Sequence, residues 1–286
     1  MEKDLFTRTS LCLCGEKSSL RHKRMITMKI ALAQMGAGKE PAENLKRAEQ
    51  YAADASQQGT KLLIFPEMFM ALPPKNSPLS AIAEPLDGPF VTILAKIAQK
   101  HTLHIVAGIW EKIPGEERVY NTVLLLSADG AILTFYRKLH LFDALQVQES
   151  RTIKPGEALP LVASVNEFTC GMAICYDLRF PELFRHLALQ GANVLLIPSA
   201  WYAGSVKEEH WLTLLRARAI ENTCYVVGVN QTGSAFCGRS VVFDPFGVPV
   251  VDAGEEERLL LAELHAKRVA DVREKLPALQ HIRSDL

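Results

Sequence analysis

The sequence predicts an α/β protein in which two sheets pack face to face beneath covering helices. Three observations carry that expectation. Short apolar runs of strand length alternate with longer amphipathic stretches of helical period. Hairpin signals interrupt the alternation, so the strand order is mixed rather than purely parallel. The strands number about ten, more than one twisted sheet usually holds, while two sheets covered by helices accommodate them. The chain has 286 residues, 48% of them hydrophobic, enough to bury a large core without disulfide staples. No repeat, low-complexity tract or linker divides it.

The elements follow in order. Lys29 to Met35 reads as the first strand, Pro41 to Gln58 as an amphipathic helix rich in Ala, Glu and Lys, and Lys61 to Phe65 as a second apolar strand. Gly88 and Pro89 open a helix that runs to His101. Leu103 to Trp110, Val119 to Ser127 and Ala131 to Tyr136 are strands, the last two joined by the Ala-Asp-Gly turn at 128–130. Met172 to Cys175 is a short buried strand, and Pro181 to Gln190 the helix after it. A strand at Asn193 to Ile197, a helix at Val206 to Asn222 and a strand at Cys224 to Val229 come next. Arg239 to Phe243 and Val248 to Val251 flank the turn Asp-Pro-Phe-Gly, and Arg258 to Glu263 adds the final strand.

Residues 1–27 read as a poorly ordered extension, with the folded domain spanning 28–286. The extension lacks the apolar core of a secretory signal, and its acids at Glu2, Asp4 and Glu16 spoil a transit-peptide reading. Cys12 and Cys14 have no second pair at zinc-site spacing, so no metal site is expected. Lys plus Arg equal Asp plus Glu at 32 each, which leaves no global field to draw the chain to nucleic acid or an anionic membrane. No run approaches the roughly 18 apolar residues of a membrane span. The six cysteines show no framework spacing, which points to a reducing, cytoplasmic compartment.

Cys175 sits where its strand ends and a helix is expected to begin, a place where backbone N–H groups and the helix dipole favour thiolate over thiol. Alone, such a cysteine is more often a core residue. Glu67 directly follows the strand Leu62 to Phe65, at the carboxyl edge where α/β sheets place ligands, and Lys138 likewise follows the strand ending at Tyr136. Either one alone is an ordinary strand terminus. A Glu, a Lys and a Cys, each closing its own apolar strand, form a nucleophilic constellation.

That constellation resembles the nitrilase superfamily of carbon–nitrogen hydrolases, and the likeness extends from Met28 to about Asp285. The matching stretches are Phe-Pro-Glu at 65–67, Tyr-Arg-Lys-Leu-His-Leu-Phe-Asp at 136–143, Cys-Tyr-Asp-Leu-Arg-Phe-Pro-Glu at 175–182, His-Trp at 210–211, Arg-Ala-Arg-Ala-Ile-Glu-Asn at 216–222, and Gly-Arg-Ser with Asp-Pro-Phe-Gly in 238–247. Asp-Ala-Leu-Gln-Val-Gln-Glu-Ser at 143–150 and Lys-Glu-Glu-His-Trp at 207–211 are most similar to the deaminated glutathione amidase group. The resemblance implies an αββα four-layer sandwich, and protomers that pair helix layer to helix layer.

Amides are poor electrophiles with poor leaving groups, so the chemistry requires a nucleophile, a proton shuttle and charge stabilisation together. Cys175 is expected to attack, Glu67 to shuttle the proton, and Lys138 with the backbone N–H of Tyr176 to hold the oxyanion. By resemblance Glu149 is a supporting acid beside the lysine. Glu182 reads as an acid placed for the helix dipole, and Arg216, Arg218 and Glu221 as helix-face ion pairing. Arg179 is the candidate grip on a substrate carboxylate, Trp201 and Tyr202 candidate pocket walls, His210 a nearby contact, and Ala200 a backbone contact. The expected activity is hydrolysis of a small carboxylate-bearing amide to acid and ammonia through a thioester, with no metal or organic cofactor. Deaminated glutathione is the first candidate, 2-oxoglutaramate the second, an N-carbamoyl amino acid the third. A non-catalytic scaffold is the alternative of another class. A homodimer is expected, with the apolar tail Val269 to Leu286 reaching across to the partner.

Overall fold

Period-two alternation builds the layers. The computed structural model describes residues 26–74 and 77–283. In β1 (Thr27–Gln34), Ile30 and Leu32 enter one apolar core while Ala31 and Ala33 enter another. β1 lies parallel to β2 (Leu62–Ile64), which lies parallel to β3 (His104–Lys112). β4 (Val119–Leu126) and β5 (Ile132–Arg137) extend the sheet antiparallel on one side, and β12 (Arg258–His265) pairs antiparallel with β1 on the other. The second sheet repeats the plan. β7 (Phe168–Met172), β8 (Val194–Ser199) and β9 (Tyr225–Asn230) are parallel, flanked by β6 (Ala163–Val165) on one edge and by β10 (Val241–Phe243) and β11 (Pro249–Asp252) on the other.

Helices α1 (Pro41–Gln57) and α2 (Pro89–His101) cover the outer face of the first sheet. Ala48, Ala52 and Ala55 of α1 meet the small Ala31 and Ala33, while Phe90, Leu94 and Ile97 of α2 fill the rest of that core. Helices α3 (Pro181–Leu189) and α4 (Lys207–Asn222) cover the second sheet through Leu183, Phe184, Leu187, Trp211 and Leu215. The inner faces meet between them, with Ile30, Leu62, Ile64 and Val123 opposite Val194, Leu196 and Val227. The result is the αββα sandwich. Among the described residues the strands number twelve; β6 is a short edge strand paired with β7 that carries too few residues to show a period.

Two expectations are corrected. β7 ends before Cys175: Ala173 N–H still donates to Leu196 O, but Ile174 N–H turns to the Asp177 carboxylate, which stops the ladder and starts a 3₁₀ turn over Cys175–Arg179. α3 begins only at Pro181, so the nucleophile candidate is not at a helix N-terminus. The C-terminal stretch is partly packed and partly open. Helix α5 (Ala266–Lys275) buries Val269 and Val272, Leu279 packs beside α4, and Arg273 donates to Ala192 O and Thr223 O, while Leu276 and Ile282 stay exposed. The extension expected at 1–27 lies, up to residue 25, outside the described residues. No helix among the described residues is long and apolar enough to cross a membrane.

Candidate active site

Glu67 reaches the site because β2 is followed by a turn that β3 admits closely. A Cβ on Gly108 of β3 would lie 2.8 Å from the Met68 nitrogen and 3.0 Å from Glu67 Cα, so only glycine fits there. The Glu67 side chain is 1% exposed, and three donors hold it. Oε1 accepts from Asn121 Nδ2 (2.7 Å) and Lys138 Nζ (3.0 Å), and Oε2 accepts from the Ala200 N–H (2.7 Å). Its backbone carbonyl accepts from Gln231 Nε2 at 2.8 Å.

Lys138 follows β5 and is also 1% exposed. Its ammonium donates to Glu67 and to both Glu149 oxygens, at 3.0 and 2.9 Å. Burial alone would lower its pKa, but the charges of Glu67 and Glu149 overcome that and hold it well above the ordinary lysine value. Glu149 is itself fixed by the Phe142 N–H at 2.8 Å. A permanent cation thus stands between two carboxylates.

Cys175 comes from the other sheet, at the start of its 3₁₀ turn with φ +45°, a left-handed conformation that a side chain adopts at a cost. The thiol is pushed well above its ordinary value, chiefly by burial and then by the Glu67 charge, with Lys138 pulling the other way. The direction runs against the expected helix-stabilised thiolate and favours a thiol whose proton a base takes. The Tyr176 N–H just past the thiol has no acceptor among the described residues, which leaves it free for an oxyanion.

Asp177 joins the two sheets and was not anticipated. Fully buried, it accepts from Ile174 N–H and Tyr136 O–H, each at 2.9 Å, and from His140 N–H (3.1 Å), with His140 Nδ1 at 2.7 Å. It therefore ties the segment around Lys138 to the turn around Cys175. Its place two residues after the nucleophile is the only sequence signal for it. Arg218 is likewise more than a helix-face partner of Glu221. It is buried, and its Nε and Nη2 donate to Leu178 O at 3.1 and 2.8 Å, pinning the same turn from α4. Glu182 is exposed in the first turn of α3, as the dipole reading expects.

Glu67, Glu149 and Cys175 face a narrow cleft that opens to solvent past Tyr176, Arg179, Ala200, Trp201 and Tyr202. His210 does not line it; this exposed residue lies outside the cleft, its Nδ1 3.4 Å from Arg179 Nη2. Met68, Phe142 and Lys207 do line it without having been singled out. Lys207 sits in the stretch that carried the subgroup resemblance, yet nothing in its spacing indicates a pocket. Among the described residues no group of three or more His, Cys, Asp or Glu side chains is placed to hold a metal.

The chain is similar to known carbon–nitrogen hydrolases. The carbon-nitrogen hydrolase family model matches residues 29–274. A deaminated glutathione amidase from Escherichia coli O157:H7 is 36% identical over 258 residues, covering 90% of this chain and 97% of its own length. The crystal structure of Saccharomyces cerevisiae Nit3, a member of the nitrilase superfamily, superposes with a TM-score of 0.80 at 30% identity, over 91% of this chain and 96% of that one. A mutant of the amidase from Nesterenkonia sp. AN1, carrying the acetamide moiety of fluoroacetamide covalently on its active-site cysteine, gives 0.76 at 30% identity over 90% and 94%.

Proposed function

The chain belongs to the carbon-nitrogen hydrolase family of the nitrilase superfamily, enzymes that hydrolyse carbon–nitrogen bonds other than peptide bonds, and on that premise we propose that it is a cysteine-dependent amidase of the deaminated glutathione type. One observation carries the reading: Glu67, which follows a strand of one sheet, faces the same cleft as Cys175 from the other, with the buried Lys138 hydrogen-bonded directly behind Glu67. Glu67 takes the Cys175 proton as sulfur attacks the amide carbon. Lys138 and the Tyr176 N–H hold the oxyanion, a contribution of about 10²–10³ in rate for each such donor. Glu67 returns the proton to the nitrogen, which leaves, and a thioester remains. Water activated by Glu67 then releases the acid.

Arg179 at the mouth supports a carboxylate-bearing substrate. From a primary amide such as 2-oxoglutaramate the nitrogen leaves as ammonia. In deaminated glutathione the bond beside the 2-oxo acid is a secondary amide, and the leaving group is a dipeptide amine. A panel of these two, an N-carbamoyl amino acid and a neutral amide, assayed for both ammonia and amine and quenched in acid for mass spectrometry, tests the reading. Turnover of a carboxylate-bearing amide with an acyl adduct on the Cys175 peptide is expected. Failure to hydrolyse any of the four contradicts it.

The same reading includes a homodimer through the α3–α4 layer, where Leu189 and Ile220 remain exposed. The exposed Leu276 and Ile282 of the tail are further apolar surface that such a partner would cover.

A further inference from the structure

The mouth of the cleft carries a second cation that the proposed mechanism leaves unused. Lys207 is the first residue of α4 and is half-buried on the cleft wall. Its ammonium lies 5.1 Å from the Phe142 ring centroid and 5.9 Å from that of Trp201. Arg179 stacks on the same indole at 4.9 Å. Neither side chain pairs with a carboxylate among the described residues: the hydrogen-bonding contact of Arg179 is the His210 ring at 3.4 Å, and Lys207 Nζ has no hydrogen-bond partner.

This arrangement is electrostatically unfavourable for the two side chains. Two like charges share one aromatic wall, and Lys207 stands in the first turn of a helix, where the macrodipole disfavours a cation. Burial, reinforced by the Arg179 charge, pulls its ammonium below the ordinary lysine value. At the floor, by contrast, the buried cation Lys138 lies between the carboxylates of Glu67 and Glu149. The two cations of the mouth have no carboxylate partner among the described residues, and the helix end adds to their pull on anions.

We infer that Lys207 is a specificity residue that, with Arg179, forms a two-cation subsite selecting amides with two carboxylates over amides with one. Each cation takes one carboxylate, and the aromatic rings of Trp201 and Phe142 line the space between. The inference rests on the amidase reading and narrows it toward the 2-oxo tripeptide, whose acyl part and leaving group each carry a carboxylate. It also separates that substrate from 2-oxoglutaramate, which has one.

The test compares kcat/KM for the two amides in the unaltered protein, Lys207→Gln and Lys207→Arg, with the melting temperature of each. A charge-assisted contact at a partly buried site corresponds to roughly 10- to 100-fold in binding. The dianion-to-monoanion ratio should fall about tenfold or more in Lys207→Gln, through KM, and return toward the original in Lys207→Arg. Raising ionic strength should lift KM for the dianion more steeply than for the monoanion. An unchanged ratio, or an equal loss on both amides that tracks the melting temperature, overturns the role of Lys207 while the amidase reading stands. If the unaltered protein hydrolyses neither amide, both fall together.

Discussion

The floor and the mouth of the cleft are built on opposite principles. At the floor, the buried Glu67 and Lys138 and the partly buried Glu149 are held by one another, with Lys138 paired to both carboxylates and Glu67 bound at both oxygens. At the mouth, Arg179 and Lys207 are half-exposed cations on aromatic faces with no carboxylate opposite. Charges at the floor must be held before substrate arrives, because reorganising them during reaction would cost the rate they are there to supply. Those at the mouth are completed by the ligand.

The largest expected effect breaks the floor at its nucleophile. Cys175→Ala should abolish turnover and leave folding intact, since the loss is a single small side chain at the cleft surface. Residual activity above a few per cent, measured with the preferred amide, contradicts the mechanism. Lys138→Met comes next, and the floor's design makes it a double test. Rate should fall by about 10²–10³. Stability should fall too, by roughly 3–5 kcal/mol, because Glu67 and Glu149 are left facing each other without their cation. Adding Glu149→Gln should recover melting temperature but not kcat; recovery of both would reduce Lys138 to a structural lysine.

The smallest effect probes the thiol itself. Because burial and the Glu67 charge hold the Cys175 pKa above its ordinary 9.0, the folded protein keeps the thiol protonated across neutral pH. Alkylation of Cys175 by iodoacetamide, followed by mass spectrometry in native buffer, should accelerate only as pH passes the ordinary thiol range. A plateau reached near pH 7 would mark a preformed thiolate and overturn the assignment of Glu67 as the base that the thiol requires.

How far the site was legible in the sequence differs from group to group. Glu67, Lys138 and Cys175 each follow an apolar run, a place where sheets put ligands but where a residue alone is as ordinary as any strand terminus; the three together, in their resemblance to the carbon–nitrogen hydrolases, made the site legible. Arg179, Trp201 and Tyr202 lie soon after strands and turn up on the cleft wall. His210 shares its helix with Lys207, but only Lys207 is turned into the cleft. Asp177, Asn121 and Arg218 act across distances in sequence that no local period encodes: Asn121 to Glu67 joins β4 to the turn after β2, and Arg218 to Leu178 joins α4 to the turn around Cys175.

By itself, then, the sequence determined the alternation of strands and helices, the order of three chemistry-bearing strand ends, and the apolar faces that bury against one another. Those depend on periods of two and 3.6 residues and on turn residues, all local. Only the tertiary structure decided where β7 stops, since that depends on Asp177 capturing the Ile174 N–H. It also decided the protonation of Cys175, which follows from burial beside a carboxylate supplied by the other sheet. The pairing of Arg179 with Lys207 on one indole belongs there as well, because it brings together the turn after β7 and the start of α4. Desolvation and Coulomb interaction depend on distance in space, which a residue's place in the chain does not specify.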